Sequence, residues 1–391
     1  MLNKQEAEKM VREDILPFWI KMADNDNGGF YGEADFYGKI NNTADKGCIL
    51  NSRILWTFSA AYRLLKDASY KKYADHARNF LTSAFLDKEY GGLYWSVDHK
   101  GENANTRKQF YNIAFGIYAL SEHYLAAQDK SSLELAMSLF EVTEKYGLDA
   151  EAGGYIEARI RDWQSIDDFR LSGKDLNSPK SMNTNLHVLE AYTTLYRAGK
   201  DPRVRNALEA LLRITLEKIV NSKNNFNLFF DMEWNSLITE VSSGHDIEGS
   251  WLMYEAALAI ENEELLSRTK KTAIDIAETA FNTAIDKKSG GFFCGFDEKG
   301  EVLKRKDWWT QAEAVVGFYN AFELTEDKKY FDAANSIWEY IRGFFLDSKN
   351  GEWHNEVNLE NTPDVKMPKA GFWKCPYHNS RSCFEIIRRI T

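Results

Sequence analysis

Cysteine is scarce: four residues in 391, Cys48, Cys294, Cys375 and Cys383, with no C-x-x-C pair among them. That spacing excludes a dense disulfide framework and fits reduced, buried thiols in a reducing compartment. Positive charge is also in short supply, with 49 Lys and Arg against 59 Asp and Glu, a net charge of −10. A nucleic-acid partner needs a basic face to meet phosphates, so that class is set aside. No apolar run approaches the roughly 18 residues of a membrane helix. The charged opening MLNKQEAEKMVRED has no apolar core of the kind a signal peptide carries. Together these absences predict a soluble, cytoplasmic chain with a small-molecule partner, a monomer or weak homodimer, that engages neither nucleic acid nor membrane.

Aromatic residues, by contrast, are plentiful at 14%, including 11 Trp and 19 Tyr. Core packing accounts for most of them, but tryptophan is also a good platform for the apolar face of a sugar. A glycine-rich aromatic turn recurs as NGGFYG (27–32), YGGLYW (90–95), AGGYIE (152–157), SGGFFCG (289–295) and NGEWHNE (350–356). A degenerate copy, FNLFFD (226–231), has no glycines. The spacing is about 62 residues, stretched in the middle, so six units span the chain. In each unit an amphipathic run such as KKYFDAANSIWEYIRGFFLD (328–347) precedes the turn, and a more apolar run such as FYNIAFGIYALSEHYLA (110–126) follows it. Apolar residues recur at three and four, the helical period. Six amphipathic and six apolar helices in alternation predict an all-α (α/α)6 barrel of six inner and six outer helices, one domain over residues 1–391. An open helical solenoid is the alternative.

In such a barrel the inner helices start at one mouth. Their first turns hold Arg53; Tyr111 and Asn112; Asn183 and His187; His245 and Glu248; Trp308, Trp309 and Glu313; and Trp373, His378 and Arg381. Three of the seven histidines therefore fall at equivalent places from distant parts of the chain. Three chemistries compete for them. A His3Glu metal set from His187, His245, Glu248 and His378 lacks an H-E-x-x-H pair or a local carboxylate cluster. Glycoside hydrolysis wants two carboxylates flanking the bond, whereas this mouth is richer in imidazole. Proton transfer at carbon suits groups that titrate near neutrality, as histidine does.

The segments NSRILW, YNIAFGIYAL, MNTNLHVLEAY, GHDIEGSWLM, WWTQAEAVVGF and WKCPYHNSR closely resemble the cellobiose 2-epimerase branch of the N-acylglucosamine 2-epimerase superfamily, over essentially the whole chain. The resemblance implies an (α/α)6 barrel with no cofactor and no metal. It implies inversion at C2 of the reducing-end glucose of a β-1,4-linked disaccharide, turning cellobiose into glucosyl-mannose and lactose into epilactose. By that pattern His245 and His378 are the acid–base pair and Glu248 supports His245. Arg53, Tyr111, Asn183 and His187 contact the reducing-end sugar, and Trp308 and Trp373 stack on substrate. Asn112, Trp309, Glu313 and Arg381 are further candidates for substrate binding from their places at the mouth. Gly249-Ser250 after the glutamate departs from the pattern, where a bulkier first residue is expected. Aldose–ketose isomerisation, N-acylglucosamine epimerisation and a sugar-binding or protein-interaction barrel are the alternative functions.

Overall fold

A computed structural model describes residues 1–390. Its helices alternate as the sequence pattern predicts. The inner set is α2 (Cys48–Leu65), α4 (Phe110–Ala127), α6 (Met182–Gly199), α8 (Ser243–Ile260), α10 (Trp308–Thr325) and α12 (Tyr377–Arg389). The outer set begins with α1 (Lys4–Lys9, continued through a π turn at Met10–Ile15 into Leu16–Lys21). It goes on with α3 (Lys71–Phe80), α5 (Lys130–Tyr146), α7 (Pro202–Ile214), α9 (Glu263–Thr283) and α11 (Lys328–Tyr340). Each inner helix packs against the next, and α12 returns to α2, so the ring closes as an (α/α)6 barrel.

The two helix types differ as their compositions require. In α4 every residue from Phe110 to His123 is buried, the pattern of a helix enclosed on all sides. In α7 only Val204, Leu208, Leu211 and Leu212 are buried, a single stripe facing inward. The first five inner helices are each 18 residues long. All five stop at a non-glycine residue in the left-handed region, Lys66, Gln128, Lys200, Glu261 and Glu326, at φ between 54° and 59°. L-residues are strained there by about 1–2 kcal/mol. Glu326→Gly is therefore expected to stabilise the fold by about 0.5–1 kcal/mol once glycine's larger unfolded-state entropy is subtracted. Thermal melts should show a rise of about 1 °C, and a fall would mean that the helix end carries no strain.

The aromatic turns are tight loops that begin where an outer helix ends. Single antiparallel bridges close them at Ala23–Phe30, Leu86–Leu93, Leu148–Tyr155, Val220–Phe226, Ile285–Phe292 and Leu346–Trp353. The fourth loop spans six positions where the others span seven, which is why its sequence copy is degenerate. A lysine from the segment ahead of the inner helix is buried against the aspartate of the turn in five units. Lys46 Nζ donates to Asp24 at 2.7 Å and Lys108 Nζ to Asp87 at 2.9 Å. Lys180 donates to Asp149 and Lys306 to Asp286, both at 2.6 Å, and Lys369 donates to Asp347. Four of these ammonium groups also reach the carbonyl of the turn glycine. The inner helix is thus tied to its turn at the mouth, where the candidate residues sit.

A polar residue in the first turn of each of the first five inner helices clamps the same loop from behind. Asn51 accepts from Phe30 N–H, Asn185 from Tyr155 N–H, and Gln311 from Phe292 N–H. Asp246 does so for Phe226 in the shortened unit. Asn112 occupies this position in the second unit: fully buried, it donates from Nδ2 to the Tyr94 carbonyl at 3.0 Å. It belongs to the scaffold, which corrects the expectation that it touches substrate. The unexpected Gly249 has a packing reason, since a Cβ there would lie 2.0 Å from the Phe226 ring.

Candidate active site

The first turns of the inner helices surround a cavity of about 430 Å3. Arg53, Tyr111, Asn183, His187, His245, Glu248, Trp308, Trp309, Trp373 and His378 all border it. A second chamber of about 320 Å3, richer in Leu and Phe, adjoins it and shares Asn183, His245 and Trp309. Trp373 stands at the rim, 38% exposed, while Trp308 is buried to 3% and Trp309 lies between these extremes. The tandem tryptophans therefore differ in exposure, Trp308 packed into the wall and Trp309 standing further into the space.

The histidines differ in what holds them. His245 Nδ1 lies 2.7 Å from the Ser242 hydroxyl, and its ring packs on Trp309 with centroids 4.7 Å apart. His378 Nδ1 lies 2.7 Å from Glu313 Oε1, and its ring is 5.6 Å from Trp309. His187 Nδ1 lies 2.9 Å from Glu190 Oε2, one helical turn away on α6. With Nδ1 occupied, each imidazole has Nε2 left for a ligand. Burial, then the charge of His187, pushes His245 down to about 3. Burial, followed by the guanidinium charges of Arg53 and Arg381, holds His378 well below the usual imidazole range. Both are therefore neutral at physiological pH without ligand, the form in which an imidazole accepts a proton.

Behind this wall lies a buried charge cluster. Arg381 donates from Nη2 to Glu248 Oε1 at 2.5 Å and to Glu313 Oε1 at 2.7 Å, and from Nη1 to Glu190 and the Tyr377 hydroxyl. Burial raises Glu248 to about 7, with the charge of Glu313 adding to it, and burial likewise raises Glu313. For Glu190 burial also raises the pKa, but Arg381 and His187 outweigh it and hold the carboxyl at about 2. Arg381 and Glu313 thus stand behind the cavity wall and away from the sugar space expected of them. Glu248 turns to Arg381 and lies 3.8 Å from His378 Nδ1, so it does not hold His245 as anticipated. Glu248, Glu313 and His378 form the one described group of ligand-type atoms within 4.8 Å of one another, and the guanidinium already supplies positive charge to both carboxylates.

Arg53 projects into the cavity from α2. Its Nη2 donates to the Tyr111 hydroxyl at 2.7 Å, and its Cζ lies 4.1 Å from the Phe115 ring centroid and 4.9 Å from that of Tyr377. Such stacking fixes a planar cation with donors to spare. Ser242, Glu190 and Tyr377 were not foreseen. Only Glu190 had a visible signal: HVLE at 187–190 repeats the spacing of HDIE at 245–248.

The model of the N-acylglucosamine 2-epimerase (GlcNAc 2-epimerase) family matches residues 29–381. The chain belongs to this family. Within it, the chain is 42% identical to the cellobiose 2-epimerase of Bacteroides fragilis over 386 residues, covering 98% of each protein. It is 40% identical to that of Ruminococcus albus with the same coverage. The solved cellobiose 2-epimerase of Bacillus thermoamylovorans superposes with a TM-score of 0.95 at 39% identity, covering 99% of both chains. Among the described residues, no helix is long and apolar enough to cross a membrane.

Proposed function

We propose that this family member is a disaccharide 2-epimerase, inverting C2 of the reducing-end glucose of β-1,4-linked disaccharides through an enediolate, with His245 and His378 as the acid–base pair. The observation that carries the reading is that two imidazoles, from α8 and α12, border one cavity and both pack on Trp309. Relatives that share about two-fifths of their residues with it over nearly their whole length are cellobiose 2-epimerases, which supports the same substrate class.

The chemistry follows from the groups present. Ring opening exposes the C1 aldehyde, which acidifies the C2 hydrogen. One imidazole takes that proton, and the C–H electron pair moves into a C1–C2 double bond while charge gathers on O1. Arg53, held by Tyr111 and its aromatic neighbours, faces the cavity as the donor for that oxygen, a contribution typically worth about 3 kcal/mol. The opposite imidazole, which takes up one proton from solvent as the sugar binds, returns it to the other face of C2. The first imidazole ends charged and the second neutral, so the pair is set for the reverse reaction. Asn183 and His187 bind hydroxyls, and Trp373 at the rim stacks on the outer sugar.

Incubation with cellobiose in D2O, followed by NMR, tests the reading. Deuterium at C2 of a glucosyl-mannose product is the expected result. Deuterium at C1 of a ketose would make the enzyme an aldose–ketose isomerase, and absence of exchange would leave a sugar-binding barrel.

A further inference from the structure

Arg381 divides its donors between two sets of acceptors. Nη1 faces Glu190 and Tyr377, and Nη2 faces Glu248 and Glu313. Glu190 Oε2 meets His187 Nδ1 at 2.9 Å, and Glu313 Oε1 meets His378 Nδ1 at 2.7 Å. An unbroken hydrogen-bonded path therefore runs His187–Glu190–Arg381–Glu313–His378, buried along its whole length. The Tyr377 hydroxyl also donates to Glu190 Oε1 at 2.5 Å, and its ring packs edge-on against His378 with centroids 4.6 Å apart. We infer that Glu190 is a positioning residue for His187 and, through Arg381, for His378, so that the path couples the two imidazoles.

The physical basis is the sharing of one guanidinium among three carboxylates in a dry interior. A carboxylate that loses its hold on Arg381 hands that charge to the other two, because a buried cation keeps its counter-charge. Glu190 is met by His187 on its own helix, Tyr118 from α4 and Tyr377 and Arg381 from α12, with the charges of Glu248 and Glu313 nearby. His378 is met by Glu313 from α10, Glu248 and His245 from α8, Arg53 from α2, and His187 and Arg381. His245, resting on Ser242, lies off the path. The two sides of the cavity thus have unequal support, a carboxylate-backed imidazole at His378 and a hydroxyl-backed one at His245.

The test uses the full-length protein with 13Cε1-labelled histidine, whose seven signals are assigned by single His→Gln variants. Glu190→Gln is expected to move the titration midpoint of His378, which Glu190 does not touch, by at least about half a unit. Glu313→Gln is expected to move the 13Cε1 signal of His187, which Glu313 does not touch. Glu122→Gln, which removes a buried carboxylate paired with Arg63 outside this network, serves as the control and moves neither. If each substitution alters only the imidazole it contacts, the inference is overturned. Should Glu190→Gln not fold, the Glu313→Gln arm decides alone. A kinetic arm rests on the epimerase reading: kcat for cellobiose falls tenfold or more with KM within about threefold, and Glu190→Asp recovers part of it. A parallel change of kcat and KM with no recovery would mark a merely structural role. Remote shifts in a protein without C2 exchange would uphold the path and overturn the epimerase reading instead.

Discussion

His378→Ala is expected to lower cellobiose epimerisation by about 10^2–10^4, the usual worth of a positioned acid–base group. Sugar binding should change little, because Trp309 and Trp373 still border the cavity, and calorimetric titration with cellobiose measures it. Glu313→Gln should reproduce part of the loss. Its carboxyl accepts from His378 Nδ1 at 2.7 Å, which fixes the tautomer and leaves Nε2 as the base. An amide in its place holds the ring but stabilises the imidazolium far less. Because the carboxyl acts through the imidazole, the double variant should be no worse than His378→Ala alone. Activity within tenfold of wild type for His378→Ala would remove this residue from the chemistry. Additive losses would show that Glu313 acts on substrate by a separate route.

The barrel was legible because each unit states its helices twice, once as a one-sided stripe and once as an all-round apolar run. The cavity-facing histidines were legible for a related reason, since equivalent positions in a closed ring must converge. What failed was the assignment of partners. His187 and His245 are each followed at three residues by a glutamate, Glu190 and Glu248, and helical spacing puts both on the face of their histidine. Glu190 does pair with its own imidazole, whereas Glu248 is drawn to Arg381, at 2.5 Å. That choice depends on a guanidinium 133 residues further along the chain, which no local spacing reveals. Asn112 illustrates the other failure. Its place beside Tyr111 at the mouth made it a ligand candidate, but consecutive helical residues point about 100° apart. The tyrosine faces the cavity and the asparagine faces the turn.

Arg381→Met should have the largest effect on stability. The arginine is 1% exposed and is the shared counter-charge of Glu190, Glu248 and Glu313. Removing one partner of such a buried set typically costs about 3–5 kcal/mol, because the charges left behind stay uncompensated. For a chain of this length that corresponds to a loss of about 4–6 °C in Tm at neutral pH. The dependence on pH identifies the cause. In the wild-type protein Glu190 is held at about 2, so its contribution is present above the unfolded value and is lost as pH falls towards 2. Glu248, raised to about 7, works in the opposite sense: its contribution is full below the unfolded value and is lost as pH rises through about 7. Without the guanidinium, Glu190 joins Glu248 and Glu313 on the raised side, and all three are accommodated best as neutral acids. The Tm gap between Arg381→Met and wild type should therefore narrow as pH is lowered from about 7.5 to about 5. A gap that stays constant or widens would place the loss in packing against Trp251 and Tyr377, whose rings lie 4.9 Å and 4.3 Å from the guanidinium carbon.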